Sequence, residues 1–295
     1  MVQPANHPSV GNVASSISRL QQCWASGDFA LTAQLPPLFT LQVRDYIEQV
    51  ALQTECFDAV VTADTPGGAV TLSSMAYAIL LKRAGIEPAV QLNGRDRNRL
   101  ALQGELLGLG ALKIPNLLID TRPLTRASQA QNADARLVDD LNGPALLATA
   151  ARLRDEARFT SGAPIKTPPA FFLGALIDLE DKLPVEELSA AQYLVTTPLH
   201  DFYRQIHLIA SFQATYADFL KTRPLLVSLP LLGGAQSVQA DHQDIFYEGC
   251  MRMMVTMIET LKMYNGVRGC NIVVEHFADL DLLDYVARAI NAYLE

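Results

Sequence analysis

The feature that most constrains this 295-residue chain is a repeated alternation of short apolar segments with amphipathic helical segments. Eight segments of five to eight residues are rich in Val, Leu, Ile and Ala, and turn residues bound them. They cover 29–34, 58–63, 88–92, 115–120, 170–177, 192–196, 224–230 and 271–275. Helical patterns separate these segments, which predicts parallel pairing, since parallel strands need a crossover that is usually a helix.

Eight such units predict an α/β protein that forms a single (β/α)8 TIM-type barrel, a fold that needs about 250 residues. An open doubly wound sheet is the alternative. Helices are predicted at 40–53, 72–84, 97–107, 144–158, 185–190, 202–220, 242–264 and 280–293. An extra N-terminal helix at 13–24 is expected to cover the amino end of the barrel, so that residues 1–12 form a disordered leader and 13–295 one domain. The polar run 121–139 is too long for an ordinary connection, which predicts a mobile loop over one end of the barrel.

Composition excludes several classes of function. Hydrophobic residues make up 49% and charged residues 18% of the chain, which is typical of a folded protein, and the net charge of -8 argues against nucleic-acid binding. There is no apolar run of about 18 residues, and the N-terminus does not resemble a secretory signal, so we expect a cytoplasmic protein without a membrane span. The cysteines are scattered without metal-ligand spacing, which predicts free thiols and no metal site at Cys23, Cys56, Cys250 and Cys270.

In a barrel the chemistry belongs to the residues at the carboxyl ends of the strands. The most polar of these ends is Gln-Leu-Asn-Gly-Arg-Asp-Arg-Asn at 91–98, between a strand and a helix. The strand ends together are Gln34, Thr62, Asp64, Gln91, Asn93, Arg95, Asp120, Arg122, Asp178, Thr196, Thr197, His200, Glu275 and His276. This set is rich in amides and hydroxyls and poor in paired carboxylates, and it contains neither a nucleophile–base pair nor a metal cluster. It favours an uncharged heterocycle such as a flavin or pterin, bound by its amide edge. The alternative for 95–98 is a structural ion-pair cluster with a helix cap.

Six motifs occur along the chain in an order that carries a family resemblance. They are the Pro-Pro-closed first strand at 29–37, Val-Thr-Ala-Asp-Thr-Pro at 61–66, the 91–98 segment, Leu-Gln-Gly-Glu-Leu-Leu-Gly-Leu-Gly-Ala-Leu at 102–112, Phe-Phe-Leu-Gly-Ala at 171–175, and Ala-Ala-Gln-Tyr-Leu-Val-Thr-Thr at 190–197. With these motifs the chain resembles the methylenetetrahydrofolate reductase family. The resemblance implies a flavoprotein oxidoreductase of one-carbon metabolism that uses FAD, NAD(P)H and a tetrahydrofolate substrate.

The resemblance also implies roles for particular positions. Those implied to be catalytic are Gln34, Asp120 and Thr197, and those implied to bind the cofactor are Thr62, Asp64, Gln91, Asn93, Arg95, Thr121 and Arg122. Several positions depart from the family pattern. Gln34 stands where the family has a carboxylic acid, and an amide has no proton to give near neutral pH. Thr197 replaces a glutamine, Arg122 places a cation where an anion is expected, and Glu186 stands at the position of a flavin-binding lysine.

Three interpretations follow from this mixture. The chain is a divergent reductase that interconverts methylene- and methyl-tetrahydrofolate, in the methyl-oxidising direction where no general acid is needed in the same step. Alternatively, it is a catalytically silent subunit that keeps the barrel and binds a folate or a partner. The third interpretation is a different flavin- or pterin-dependent enzyme. A homo-oligomer or partner subunit stays open, because the methionine-rich helix at 242–264 and the N-terminal helix offer apolar faces.

Overall fold

Eight parallel strands close into a barrel in a computed structural model that describes residues 17–123, 135–138, 140–231 and 243–294. The strands pair in chain order, and the first pairs with the last. They are β1 (Ala30–Gln34), β2 (Ala59–Thr62), β3 (Pro88–Leu92), β4 (Asn116–Asp120), β5 (Phe172–Ile177), β6 (Tyr193–Thr196), β7 (Leu225–Pro230) and β8 (Val267–Val273). The predicted (β/α)8 barrel is therefore confirmed, and the alternative of an open sheet is wrong.

Helices surround the barrel in the described part of the chain. They are α1 (Arg19–Ser26), α2 (Arg44–Gln53), α3 (Ser74–Arg83), α4 (Arg99–Ala111), α5 (Gly143–Glu156), α6 (Phe202–Leu220), α7 (Gln243–Lys262) and α8 (Leu280–Leu294). None of these described helices has the length and apolar character that crossing a membrane requires. The predictions for residues 1–16, for 124–134 and 139 within the polar run, and for the start of the helix at 242 lie outside the described residues.

The connection between β5 and β6 corrects one prediction. The helix expected at 185–190 is a series of turns, in which Leu188 N donates to Pro184 O and Ser189 N donates to Glu186 O. Leu183 and Leu188 are buried, so this segment follows the surface of the barrel rather than the path of a helix. A stretch this short cannot offset the cost of starting a helix.

The sequence places the other elements to within a few residues, with two instructive differences. Strand β8 begins at Val267, four residues before its predicted start, because the pairing with β7 extends back to Leu225. The apolar pattern of the helix predicted at 97–107 places four leucines of α4 on its inner face, but only Leu102 and Leu106 are buried, whereas Leu100 and Leu107 are 78% and 48% exposed. The buried stripe of this helix is completed by Leu109, in agreement with helical spacing from Leu102.

Alternate residues of each strand fill the inside of the barrel. Tyr193 stacks on Phe172 with ring centroids 4.9 Å apart, and its hydroxyl donates to Leu117 O at 3.1 Å. Gly174 makes room for this ring, because a Cβ at that position would lie 2.2 Å from the tyrosine ring. A second and larger core joins the outer faces of the strands to the helices. The barrel interior is thus packed, as the fold requires, and any ligand space must lie at its ends.

Helix α1 covers the amino end of the barrel, as the sequence predicts. Ser18 caps it in a capping box with Gln21, and Gly27 ends it with a positive φ of 89°. Leu20 is buried against the barrel interior. Trp24 contacts Phe172 at 5.7 Å between ring centroids and donates from Nε1 to Arg268 O at 2.9 Å. The amino end is therefore closed by α1, and the carboxyl end is left to hold a ligand.

Candidate functional site

The carboxyl ends of the strands enclose a cavity of about 580 Å³, which is called the mouth below. Its volume lies within the usual range for small-molecule sites. Its lining contains twelve polar or charged residues, namely Gln34, Asp64, Thr65, Gln91, Asn93, Arg95, Asp120, Arg122, Asp178, Asp181, Thr196 and Thr197, beside Ala63, Pro66, Gly67, Pro123, Leu176 and Pro198. The three positions that the family resemblance implies to be catalytic, Gln34, Asp120 and Thr197, meet in this one cavity.

Two unpaired amide groups face the mouth from β1 and β3. Gln34 and Gln91 point toward the inside of the barrel. They lie on the same faces of β1 and β3 as the interior residues Ala30 and Ala89. Within the described residues, neither side chain makes a hydrogen bond, although Gln91 is only 7% exposed. A buried amide normally finds a partner, so these two groups are available to a ligand as both donors and acceptors.

Asp64 and Asn93 form the buried centre of one wall. Asp64 Oδ2 accepts hydrogen bonds from Asn93 N at 2.9 Å and from Asn93 Nδ2 at 2.8 Å, and it also pairs with Arg97. Burial raises the pKa of the Asp64 carboxyl, while the positive charge of Arg97 and the Asn93 amide oppose that rise. Arg97 in turn pairs with Glu105 on α4 at 2.5 Å. This wall is therefore fixed from behind by a helix.

The polar segment 91–98 divides between the two roles that the sequence left open. Asn93 and Arg95 line the mouth, whereas Asn98 caps α4 by accepting from Ala101 N at 3.0 Å. The Arg95 guanidinium is held by Asp96 through Nη2–Oδ2 at 2.7 Å and by Thr65 through Nη2–O at 2.9 Å. Part of this cluster thus shapes the cavity, and part holds the barrel and its helix together.

An acidic wall lies across β4 and β5. Asp120 accepts from Arg122 Nε at 2.8 Å with one carboxylate oxygen and from Arg122 Nη2 at 2.7 Å with the other. Hydrogen bonding to Asp120 raises the pKa of Arg122, and the charges of Asp178 and Asp181 raise it further. Three carboxylates therefore surround one guanidinium. Thr197 belongs to the same wall, since its Oγ1 donates to Asp178 Oδ2 at 3.4 Å.

Two of the residues implied to bind the cofactor lie outside the mouth. Thr62 is fully buried and points out of the barrel, where its hydroxyl donates to Ser74 O at 3.1 Å. Its neighbours Val61 and Ala63 take the inward phase of β2. Thr121 donates from Oγ1 to Leu176 O at 2.8 Å and lines a neighbouring cavity instead. Successive strand residues point to opposite faces of the sheet. Each threonine is adjacent in sequence to a residue that faces the barrel interior or the mouth, and therefore points away from it.

Other polar strand ends also remain outside the mouth. His200 Nε2 lies 3.4 Å from Glu275 Oε1, and both side chains are largely exposed. His276 precedes a single turn at Phe277–Asp279 and caps it only through its backbone. The histidines among the strand ends therefore contribute no group to the cavity described here.

Carboxylates outnumber cations among the residues that line the mouth. Asp64, Asp120, Asp178 and Asp181 all line it, against Arg95 and Arg122. Sequence reasoning missed Asp181, which lies beyond the end of β5. The available signal was the acidic run Asp-Leu-Glu-Asp at 178–181 directly after a strand. The described residues contain no group of three or more His, Cys, Asp or Glu side chains placed to hold a metal ion.

The arrangement defines a (β/α)8 barrel with a ligand-sized, polar and predominantly acidic cavity at its carboxyl end. No protein-family model and no curated protein sequence matches this chain. The solved structures that share its fold include the following two. One is an uncharacterized protein from Clostridium thermocellum that binds two copies of 5-methyl-5,6,7,8-tetrahydrofolic acid, with a TM-score of 0.59 at 12% identity over 93% of this chain and 99% of that chain. The other is EDTA monooxygenase from Chelativorans sp. BNC1, with a TM-score of 0.55 at 10% identity over 90% of this chain and 94% of that chain. At these identities the similarity shows the fold.

Proposed function

We propose that this protein binds a reduced folate, with the pterin ring in the mouth. The observation that carries the proposal is the pair of unpartnered amides, Gln34 and Gln91, in one cavity with an acidic wall. The pyrimidine edge of a reduced pterin presents several N–H donors beside one carbonyl acceptor. Carboxylates accept from such donors, and primary amides match both kinds of group. The folate-binding protein of the same fold from Clostridium thermocellum supports the same choice of ligand.

The lack of a free proton donor favours binding over reduction as the primary function. In the methylenetetrahydrofolate reductase family, an acid at the position of Gln34 helps to open the folate ring. Asp120, the carboxylate among the residues that the resemblance implies to be catalytic, engages Arg122 with both of its oxygens. General acid catalysis contributes about 10²- to 10⁴-fold in enzymes that use it, so its loss from this position removes most of a reductase rate.

The described residues fit one part of FAD and not the other. The amides of the mouth suit the edge of an isoalloxazine ring, but a diphosphate requires cations or free backbone N–H groups. Arg95 and Arg122 are engaged by carboxylates, and Asp178 and Asp181 add negative charge to the lining of the mouth. Glu186, at the position of the family's flavin-binding lysine, lies exposed in the turn segment between β5 and β6.

The second candidate function is the oxidoreductase that the resemblance implies. It is a divergent methylenetetrahydrofolate reductase, with FAD and NAD(P)H, that interconverts methylene- and methyl-tetrahydrofolate in the methyl-oxidising direction. The convergence of Gln34, Asp120 and Thr197 in one cavity favours it. The Gln34 amide can orient a pterin by hydrogen bonds in either function, and only the second requires that a flavin be taken up.

Calorimetric titration with 5-methyltetrahydrofolate, under exclusion of oxygen, tests the first proposal. We expect binding by the wild-type protein and a loss of affinity of about tenfold in Gln34→Ala and in Gln91→Ala, since each removes a hydrogen-bonding group from the ligand. The matched control is Gln49→Ala, which removes an exposed glutamine from the outer helix α2. Absence of binding by the wild type, or equal losses in all three variants, overturns the proposal.

A further inference from the structure

A second cavity of about 440 Å³ adjoins the mouth. The two cavities share the four lining residues Arg122, Pro123, Asp178 and Asp181, which therefore form the boundary between the mouth and this second chamber. The residues that line only the second chamber are Thr121, Asn142, Pro144, Ile177, Lys182, Leu183 and Pro184. A ligand with its head in the mouth can therefore extend past the shared residues into this chamber.

The second chamber differs from the mouth in its walls. Ile177, Leu183, Pro123, Pro144 and Pro184 give it an apolar lining that contains three prolines. Rigid apolar surfaces of this kind suit a flat ring, because such a ring buries a large area and has little conformational freedom to lose. An unbranched polar chain would gain much less from these walls.

The second chamber has one charged lining residue that the mouth lacks. The two carboxylates, Asp178 and Asp181, belong to the side that it shares with the mouth. Lys182 is the charged residue among those that line the second chamber alone, and its ammonium has no hydrogen-bond or ion-pair partner in the described part of the chain. The Nη1 group of Arg122 is likewise unused, since Asp120 engages Nε and Nη2. Within the described residues, the second chamber therefore contains one unpaired cation, Lys182, that does not line the mouth, and Arg122 adds a free N–H group at the boundary between the two.

We infer that the second chamber binds an aromatic ring that carries a carboxylate tail, with the ring between the prolines and the tail at Lys182. This inference rests on the proposed function: the reduced folate then lies with its pterin in the mouth and its aminobenzoyl-glutamate arm in the second chamber. The mouth binds the pterin ring, which a folate and a free pterin have in common. The second chamber binds the arm that the free pterin lacks, and so distinguishes the two ligands.

The test compares two ligands, 5-methyltetrahydrofolate and 6-methyltetrahydropterin, which lacks the arm. We expect the wild type to bind the folate at least about tenfold more tightly than the pterin. In Lys182→Glu the affinity for the folate falls by about fivefold, as for a partly exposed ion pair that is reversed, while the affinity for the pterin stays within twofold. The matched control is Lys166→Glu, which makes the same charge change at an exposed site before β5 and leaves both affinities unchanged.

The outcomes separate this inference from the proposed function. Equal affinities of the wild type for the two ligands, or equal effects of Lys182→Glu on both, overturn the inference and leave pterin binding in the mouth intact. If the wild type binds neither ligand, the proposed function falls and the inference falls with it. A selective effect on the folate that disappears in 1 M salt supports the assigned charge contact, because salt screens a partly exposed pair.

Discussion

Asn93 and Asp64 are joined by three hydrogen bonds, from Asn93 N and Nδ2 to the Asp64 carboxylate at 2.9 and 2.8 Å and from Nδ2 to Asp64 O at 3.2 Å. Asp64 follows β2 and Asn93 follows β3, so these hydrogen bonds join the ends of two neighbouring strands. Arg97 then connects the pair to Glu105 on α4. The side chains of this wall are therefore already held in place without a ligand. Binding then costs little conformational entropy at this wall.

The wall depends on a close backbone approach at Gly94. A Cβ at this position would lie 1.9 Å from Leu141 O and 3.0 Å from Leu141 C. Since the clash is with backbone, Gly94→Ala must displace either the Asn93–Arg95 segment or the start of α5. We expect a loss of about 2–4 kcal/mol in the free energy of unfolding, measured in urea.

Gly104 provides the matched control for this substitution. It lies within α4, where a Cβ would meet nothing within 4 Å. We expect Gly104→Ala to stabilise the protein by about 0.5–1 kcal/mol, because alanine has the higher helix propensity. A Gly94→Ala protein as stable as the wild type would show that the 91–98 segment and the start of α5 are not in the contact described.

Arg122 compensates the charge of the acidic wall. Replacing it by methionine keeps an unbranched apolar stem, removes the guanidinium, and leaves Asp120, Asp178 and Asp181 without their shared cation. We expect Arg122→Met to lose about 1 kcal/mol of stability at pH 7, a small value because the arginine is 39% exposed. The loss should shrink below about pH 4, where carboxylates take up protons and no longer repel one another. Urea denaturation at pH 7 and at pH 4 measures the difference.

An exposed arginine serves as the comparison for that loss. Arg204 pairs with Glu180, and both side chains are well exposed. Arg204→Met is therefore expected to change stability less than Arg122→Met at either pH. If the two variants behave alike, Arg122 makes no special contribution to the acidic wall.

Cys23, at the opposite end of the barrel, is expected to be an unreactive thiol. Burial raises the pKa of Cys23 to about 12, and the negative charges of Asp58 and Asp28 add to the rise. At pH 8 the thiolate fraction is then about a thousandfold below that of an ordinary cysteine. We expect iodoacetamide to modify Cys23 correspondingly slowly in the folded Cys56→Ser protein, and at a normal rate once urea unfolds it.

The same shift predicts how stability depends on pH. The folded state keeps a proton at Cys23 that the unfolded chain releases near the ordinary pKa of 9.0. The contribution of this thiol is therefore fully present below about pH 9 and declines as the pH rises toward 12. In Cys23→Ala, the fall in stability between pH 9 and pH 11 should be smaller than in the wild type. Equal slopes would contradict the shift.

The sequence predicts the barrel well because the signal is repeated eight times. It predicts the content of the mouth less well, for a local reason. In β2 the run Ala-Val-Val-Thr-Ala is apolar on both faces, so nothing in it reveals that Val61 and Ala63 face the barrel and Thr62 faces away. Strands that are covered on both sides lack the alternation that would fix the phase. The same ambiguity affects Thr121.

Asp181 shows a different limit. It lies in the turn that follows β5, where Asp181 N donates to Asp178 O at 3.3 Å, and an acidic run after a strand does not by itself show which of its side chains lines the mouth. Gln34, by contrast, is marked by the sequence as a candidate, because it is a polar residue at the carboxyl end of an apolar strand. Strand ends are thus identified by sequence, while loop residues that complete a site need the structure.

Gln34→Glu is the substitution that separates the two candidate functions. A carboxyl group at this position is isosteric with the amide, but it joins Asp120, Asp178 and Asp181 in the same cavity. If the protein is a folate-binding barrel, the variant loses an N–H donor and gains repulsion, and we expect about tenfold weaker binding of 5-methyltetrahydrofolate at pH 7. Neither the wild type nor the variant should then take up FAD, as judged by the flavin absorbance after gel filtration.

The second candidate function predicts the opposite result for this variant. The new carboxyl would be surrounded by negative charge and partly buried, and both conditions favour its protonated form. With FAD bound, it would restore the general acid, and reduction of methylenetetrahydrofolate by NAD(P)H would rise at least about a hundredfold over the wild type. Gln34→Met, which has no proton to give, is the control. A flavin-dependent rise in Gln34→Glu that is absent from Gln34→Met would replace the binding function by the oxidoreductase.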